Sequence, residues 1–136
     1  MKYARKSYLK GRPRHRVNQA STADLLDRQH FFNALSTGFS AGLTAAESIK
    51  TLDQSNSQRN TQTIRSLVRA LTDGKSVADS FRQNQLVSDF DLALIQIGER
   101  SGTLATITRK ISRRYEQSIQ RARKLRTAFA LPLFIG

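Results

Sequence analysis

The sequence predicts an all-α protein, an antiparallel bundle of about six helices. Three observations carry that expectation. Apolar residues recur at gaps of three or four from Leu25 to Phe129. Glycine-plus-hydroxyl junctions interrupt the recurrence, and no stretch alternates as a half-buried strand would. The 136 residues suffice for one modest core.

Taken in order, Leu25, Phe32, Leu35 and Phe39 mark one face of a first helix that starts at Asp24 and ends at Gly42. Ala46, Ile49 and Leu52 mark a short second helix, and the polar DQSNSQRN at 53–60 reads as a loop. Ile64, Leu67, Val68 and Leu71 define a third helix stopped at Gly74. Val77 and Phe81 belong to a very short fourth. Phe90, Leu94 and Ile97 give the apolar face of a fifth that ends near Gly98. The sixth and longest carries Leu104, Ile107, Ile111, Tyr115, Ile119, Ala122, Leu125 and Phe129, spaced close to the helical turn.

The junctions share one design. GLTAAESI (42–49) and GKSVADSF (74–81) share the pattern Gly, any, Thr/Ser, any, Ala, acid, Ser, apolar. Gly42 and Gly74 accept the left-handed conformation that closes a helix. Thr44 and Ser76 then cap the next one, with Glu47 and Asp79 placed three residues on to complete a capping box. Ser88, with Asp91 behind it, opens the fifth helix in the same way.

The chain carries 23 Lys+Arg against 10 Asp+Glu, a net charge of +13, which attracts an anionic partner. With no cysteine, disulfides, thiolate chemistry and Cys-type zinc sites are excluded. GKS at 74–76 resembles the end of a phosphate-binding loop, but Arg69 stands where that loop needs glycine. His15 and His30 lie in no metal-binding spacing. The pairs Asp24/Asp27 and Asp89/Asp91 sit in first turns, where acids complement the helix dipole. Ser101 has no base partner of predictable position. No catalytic residue, metal ligand or cofactor site emerges, and the expectation is a protein that is not an enzyme.

Residues 1–23 read as a basic mobile arm, with seven cations and no acid before Asp24. That arm lacks the apolar core of a signal peptide, so most of the chain is expected in the cytoplasm. The sixth helix is also basic. Arg109, Lys110, Arg113, Arg114, Arg121, Arg123, Lys124 and Arg126 face one acid, Glu116. It runs into FALPLFIG at 129–136, read as the start of a transmembrane helix cut short. Cations placed before a membrane segment mark its cytoplasmic side and bind acidic lipids. The alternative is a small basic helical protein that binds nucleic acid, although Tyr115, the one aromatic in the basic stretch, falls on the buried stripe.

Four segments in order, FFNALSTGFSAGLTAAESI, LTDGKSVADSF, LIQIGERSGTLATITRKISRRYE and a basic helix entering ALP, resemble the type II secretion system F domain. The likeness spans roughly 24–136. Its most specific part is Gly-Glu-x-Ser-Gly-x-Leu, met by Gly98, Glu99, Ser101, Gly102 and Leu104. Phe32, Leu35, Gly42, Leu43 and Ala46 match the other half of the signature. The resemblance implies a six-helix cytoplasmic bundle over 24–128, one of two in a longer inner-membrane platform protein of secretion, type IV pili or competence pseudopili. It implies an assembly ATPase, pilin or pseudopilin subunits and acidic lipids as partners, in a homo-oligomer. GERSG becomes the bend between the fifth and sixth helices, where glycines let backbones approach and Glu99 bonds free amides of the sixth. Arg113, Arg114, Arg121, Arg123, Lys124 and Arg126 are the residues expected to meet membrane or partner.

Overall fold

The computed structural model describes residues 21–53, 61–82, 84 and 86–135, the stretch 129–135 as helix path alone. Among them run six helices: α1 Thr22–Ser40, α2 Ala45–Asp53, α3 Thr61–Thr72, α4 Val77–Phe81, α5 Asp89–Ser101 and α6 Leu104–Ile135. The fold is all-α, as the periodicity predicts. Asp53, expected to open a loop, is the last residue of α2; the rest of that loop, 54–60, and nearly all of the basic arm fall outside the described residues.

Local signals set the helix ends. Ser21 caps α1 and shares a capping box with Asp24, so the helix begins at Thr22, ahead of the first periodic residues. Gly42, Gly74 and Gly102 take φ of 83°, 91° and 71°. After each, the next residue's N–H reaches back across the helix end: Leu43 to Gly38 O at 2.9 Å, Lys75 to Ala70 O at 3.1 Å, Thr103 to Gly98 O at 2.9 Å. These are three copies of the Schellman closure, which satisfies the last carbonyls and turns the chain.

Each helix packs on the next in sequence, and α6 returns to α1 in the most extensive pairing of all. Arg109 of α6 donates to the Ser40 hydroxyl at the end of α1, while Tyr115, further along α6, meets Arg28. The two helices are therefore antiparallel. Inside the ring lie Phe31, Phe32, Leu35, Ile49, Phe81, Ile95 and Ile111, all essentially closed to solvent. Phe31 meets Phe81 edge-on at 5.4 Å, and Phe32 stacks on Tyr115 at 6.0 Å.

Two expectations fail in α5. It continues through Gly98 and ends at Ser101, because Gly102, not Gly98, holds the left-handed conformation. Its buried face is Asp91, Ile95 and Gly98, one residue round from the apolar face the sequence suggests. Phe90 and Ile97 are 62% and 57% exposed. The reason is spatial: a Cβ on Gly98 would stand 2.9 Å from Ile107 Cδ1 and 3.2 Å from Leu104 Cδ2, so α6 seats against that glycine. In α6 the stripe holds through Ile119, with Thr108 and Ser112 also buried, but Leu125 is 60% exposed. The bundle simply stops there. A 32-residue α6 is about 48 Å long against about 28 Å for the 19 residues of α1, so its second half extends past its neighbours.

Residues 129–135 continue α6 without a break, and among the described residues no helix is long and apolar enough to cross a membrane.

Gly38 has no counterpart in the sequence reading. It is buried in α1, and a Cβ there would fall 1.9 Å from Ser48 Oγ and 3.1 Å from Ser48 Cα. Gly38→Ala is therefore expected to destabilise the fold by about 1–3 kcal/mol in urea unfolding, as overpacked cores do. Ser48→Gly should recover part of that loss; no loss in Gly38→Ala alone would contradict the close α1–α2 contact.

Candidate functional site

The polar chemistry of this bundle is structural, and it begins at the helix starts. Thr44 and Glu47 form the full box: the Thr44 N–H donates to Glu47 Oε2 at 2.8 Å and the Glu47 N–H to Thr44 Oγ1 at 3.2 Å. The backbone bond, then the Thr44 hydroxyl, hold the Glu47 carboxyl below its usual range. At α4 only half of the box forms. Ser76 Oγ accepts from the Asp79 N–H at 3.1 Å, but Asp79 turns to Arg82, also at 3.1 Å.

A further cap, on different amides, comes from Glu99. Its Oε2 accepts the Val77 N–H at 2.6 Å and its Oε1 lies 3.4 Å from the Ala78 nitrogen. These are the orphan amides of α4, so Glu99 caps the fourth helix from the fifth and does not bond the sixth. Gly98 beside it admits α6, and Leu104 is one of the side chains it admits. Ser101 is exposed, donates to Ile97 O at 2.8 Å and meets Thr103 Oγ1 at 2.7 Å. The GERSG segment thus joins three helices within one turn: a close approach to α6, a cap on α4 and the closure of α5.

A second constellation, centred on Asp91, joins α1, α5 and α6. Asp91 is fully buried, where the sequence suggests a solvated first-turn acid. Its carboxylate accepts from Arg114 Nη2 and from the Tyr115 hydroxyl, both on α6. That hydroxyl in turn accepts from Arg28 Nη1 of α1 at 3.4 Å. Arg114 also lies over the Phe90 ring at 4.8 Å, which explains why an exposed aromatic stands there. Burial, then the bond to Asp91, push the Tyr115 phenol above its ordinary value, keeping it protonated and donating. The available signal was the shared face of Asp91, Ile95 and Gly98 at helical spacing.

The six cations expected to meet membrane or partner do not act as one set. Arg114 is committed inward, its side chain 38% exposed beside the buried Asp91. Arg113, Arg121, Arg123, Lys124 and Arg126 are exposed. The last four sit on the extended half of α6, where from residue 120 to 128 only Ala122 is partly covered. Among the described residues no group of three or more His, Asp or Glu side chains could hold a metal ion.

Glu99→Ala strips the two α4 amides of their acceptor. Hydrogen exchange at Val77 and Ala78 should accelerate at least tenfold, with about 1–3 kcal/mol of stability lost. Unchanged exchange at those two amides would show that Glu99 does not hold α4.

Compared singly with curated proteins, the chain matches none. The family model described as "Type II secretion system (T2SS), protein F" matches residues 31–136, from the aromatic pair of α1 to the end of α6. The matched segment takes in all three glycine junctions, Glu99, Asp91 and the basic half of α6. The chain belongs to the type II secretion system protein F family, a family of membrane-associated assembly platforms.

Proposed function

We propose that this chain is a non-enzymatic platform for assembling a secretion pseudopilus, a type IV pilus or a competence pseudopilus. It works on the cytoplasmic face of the inner membrane. In this reading a homo-oligomer of bundles receives an assembly ATPase on one side and pilin or pseudopilin subunits on the other. Motion of the ATPase passes through the bundle to the membrane-side subunits.

One observation carries the proposal. A single helix, α6, starts in the core, where Ile111 and Tyr115 are buried, and continues unbroken past Arg121, Arg123, Lys124 and Arg126 to residue 135. A continuous helix transmits displacement along its axis, whereas a loop at residue 120 would absorb it. The exposed cations lie just before the apolar run FALPLFIG, where they suit acidic head groups. Nucleic acid is a weaker fit: Tyr115 is 7% exposed and stacks on Phe32, so it offers no platform for a base.

Vesicle flotation at physiological salt tests the reading. The chain should float with vesicles containing acidic phospholipid and not with neutral ones. Replacing Arg121, Arg123, Lys124 and Arg126 by Gln should weaken binding by roughly 1 kcal/mol per charge. Equal flotation of the variant, or tighter binding to duplex DNA than to acidic vesicles, would contradict it.

A further inference from the structure

Between α3 and α4 lies a cleft of about 450 Å3, within the range of ligand sites. Its wall is polar: Ser66 of α3, Lys75 of the junction, Asp79 and Ser80 of α4, then Arg82 and Asn84. Two atoms of that wall, Ser80 Oγ and Asn84 Nδ2, are buried and have no hydrogen-bond partner. Asn84 is 8% exposed, and its Oδ1 already accepts the Leu86 N–H at 2.8 Å. That bond fixes which end of the amide faces which way and leaves Nδ2 as a donor without an acceptor. Buried polar groups are nearly always paired, so an unpaired donor lining a cleft marks a place for an acceptor.

Charge narrows the choice of acceptor. Lys75 and Arg82 stand against Asp79, leaving the wall one positive charge. Asp79 is fixed as a carboxylate by the Ser76 hydrogen bond and by Arg82. A phosphate dianion would bring twice the charge the wall can balance. A monoanion with two acceptor oxygens fits both the donors and the charge.

We propose that this cleft binds a single carboxylate side chain, Asp or Glu, carried by an acidic segment of a partner protein. Asn84 Nδ2 and Ser80 Oγ donate to its oxygens, and Lys75 balances its charge. Both donors lie beneath the surface of the wall, so the carboxylate reaches them as a wall side chain shifts. The site stands apart from the basic half of α6, and it does not depend on the chain's being an assembly platform.

The test uses the 15N-labelled 136-residue chain and the Asn84 side-chain NH2 signal. Acetyl-Ala-Glu-Ala-amide should shift that signal saturably. The Gln counterpart and inorganic phosphate should each bind at least about tenfold more weakly. Asn84→Asp keeps the acceptor for Leu86 but replaces the donor with a negative oxygen. Followed through the Lys75 and Ser80 amides, it should lose at least about tenfold in affinity. Ser80→Ala, a smaller change, should lose affinity severalfold with its backbone spectrum otherwise intact. Equal shifts from the Glu and Gln peptides, phosphate binding as tight as the Glu peptide, or full affinity in Ser80→Ala would each overturn the assignment.

Discussion

A carboxylate wholly removed from water sits in the first turn of α5, and the arrangement of the other helices follows from how it is neutralised. Asp91 is held by Arg114 and by the Tyr115 hydroxyl on α6, and Tyr115 is in turn bonded by Arg28 of α1. One buried charge therefore joins the first, fifth and sixth helices. Such a pair adds little net stability compared with apolar packing, but losing Arg114 strands the buried Asp91, at about 3–5 kcal/mol. What it supplies is rotation: with Asp91 turned inward, Ile95 and Gly98 follow it round the helix and Phe90 and Ile97 turn out.

That rotation places the remaining contacts. Gly98 faces α6 and admits Leu104 and Ile107, while Glu99, one step round, faces α4 and takes the amides of Val77 and Ala78. Phe81, at the end of α4, is held in the core against Phe31 of α1. The chain of contacts closes on itself. A bundle closed in this way suits the relay proposed for it. The exposed half of α6 continues from an inner half held in the core by Ile111, Tyr115 and Ile119, as the proposed relay requires.

What could be seen in the sequence was local. Gly42 with Thr44 and Glu47, Gly74 with Ser76, and the stripe from Leu104 to Ile119 each depend on neighbours within about one turn or two. What could not be seen depends on distant partners. Asp91 resembles an ordinary first-turn acid until Arg114, 23 residues on, is placed beside it. Glu99 suggests a cap for the helix that follows, but its amides lie 22 residues back. Gly38 resembles any glycine near a helix end until Ser48 crosses it. Apolar Phe90 and Ile97 misled because a helix turns to bury the residue that needs a partner, and a hydrophobic count does not register a buried ion pair.

The most direct test of this dependence is a double-mutant cycle between Asp91→Ala and Glu99→Ala, read by urea unfolding. The two residues share α5 but none of the bonds described for them, so separate roles would give additive losses. If Asp91 sets the rotation that brings Glu99 to α4, removing Asp91 already weakens the cap. The double variant should then lose less than the sum, by about 0.5–3 kcal/mol. Additivity to within about 0.5 kcal/mol would contradict the claim that the buried carboxylate orients the fifth helix.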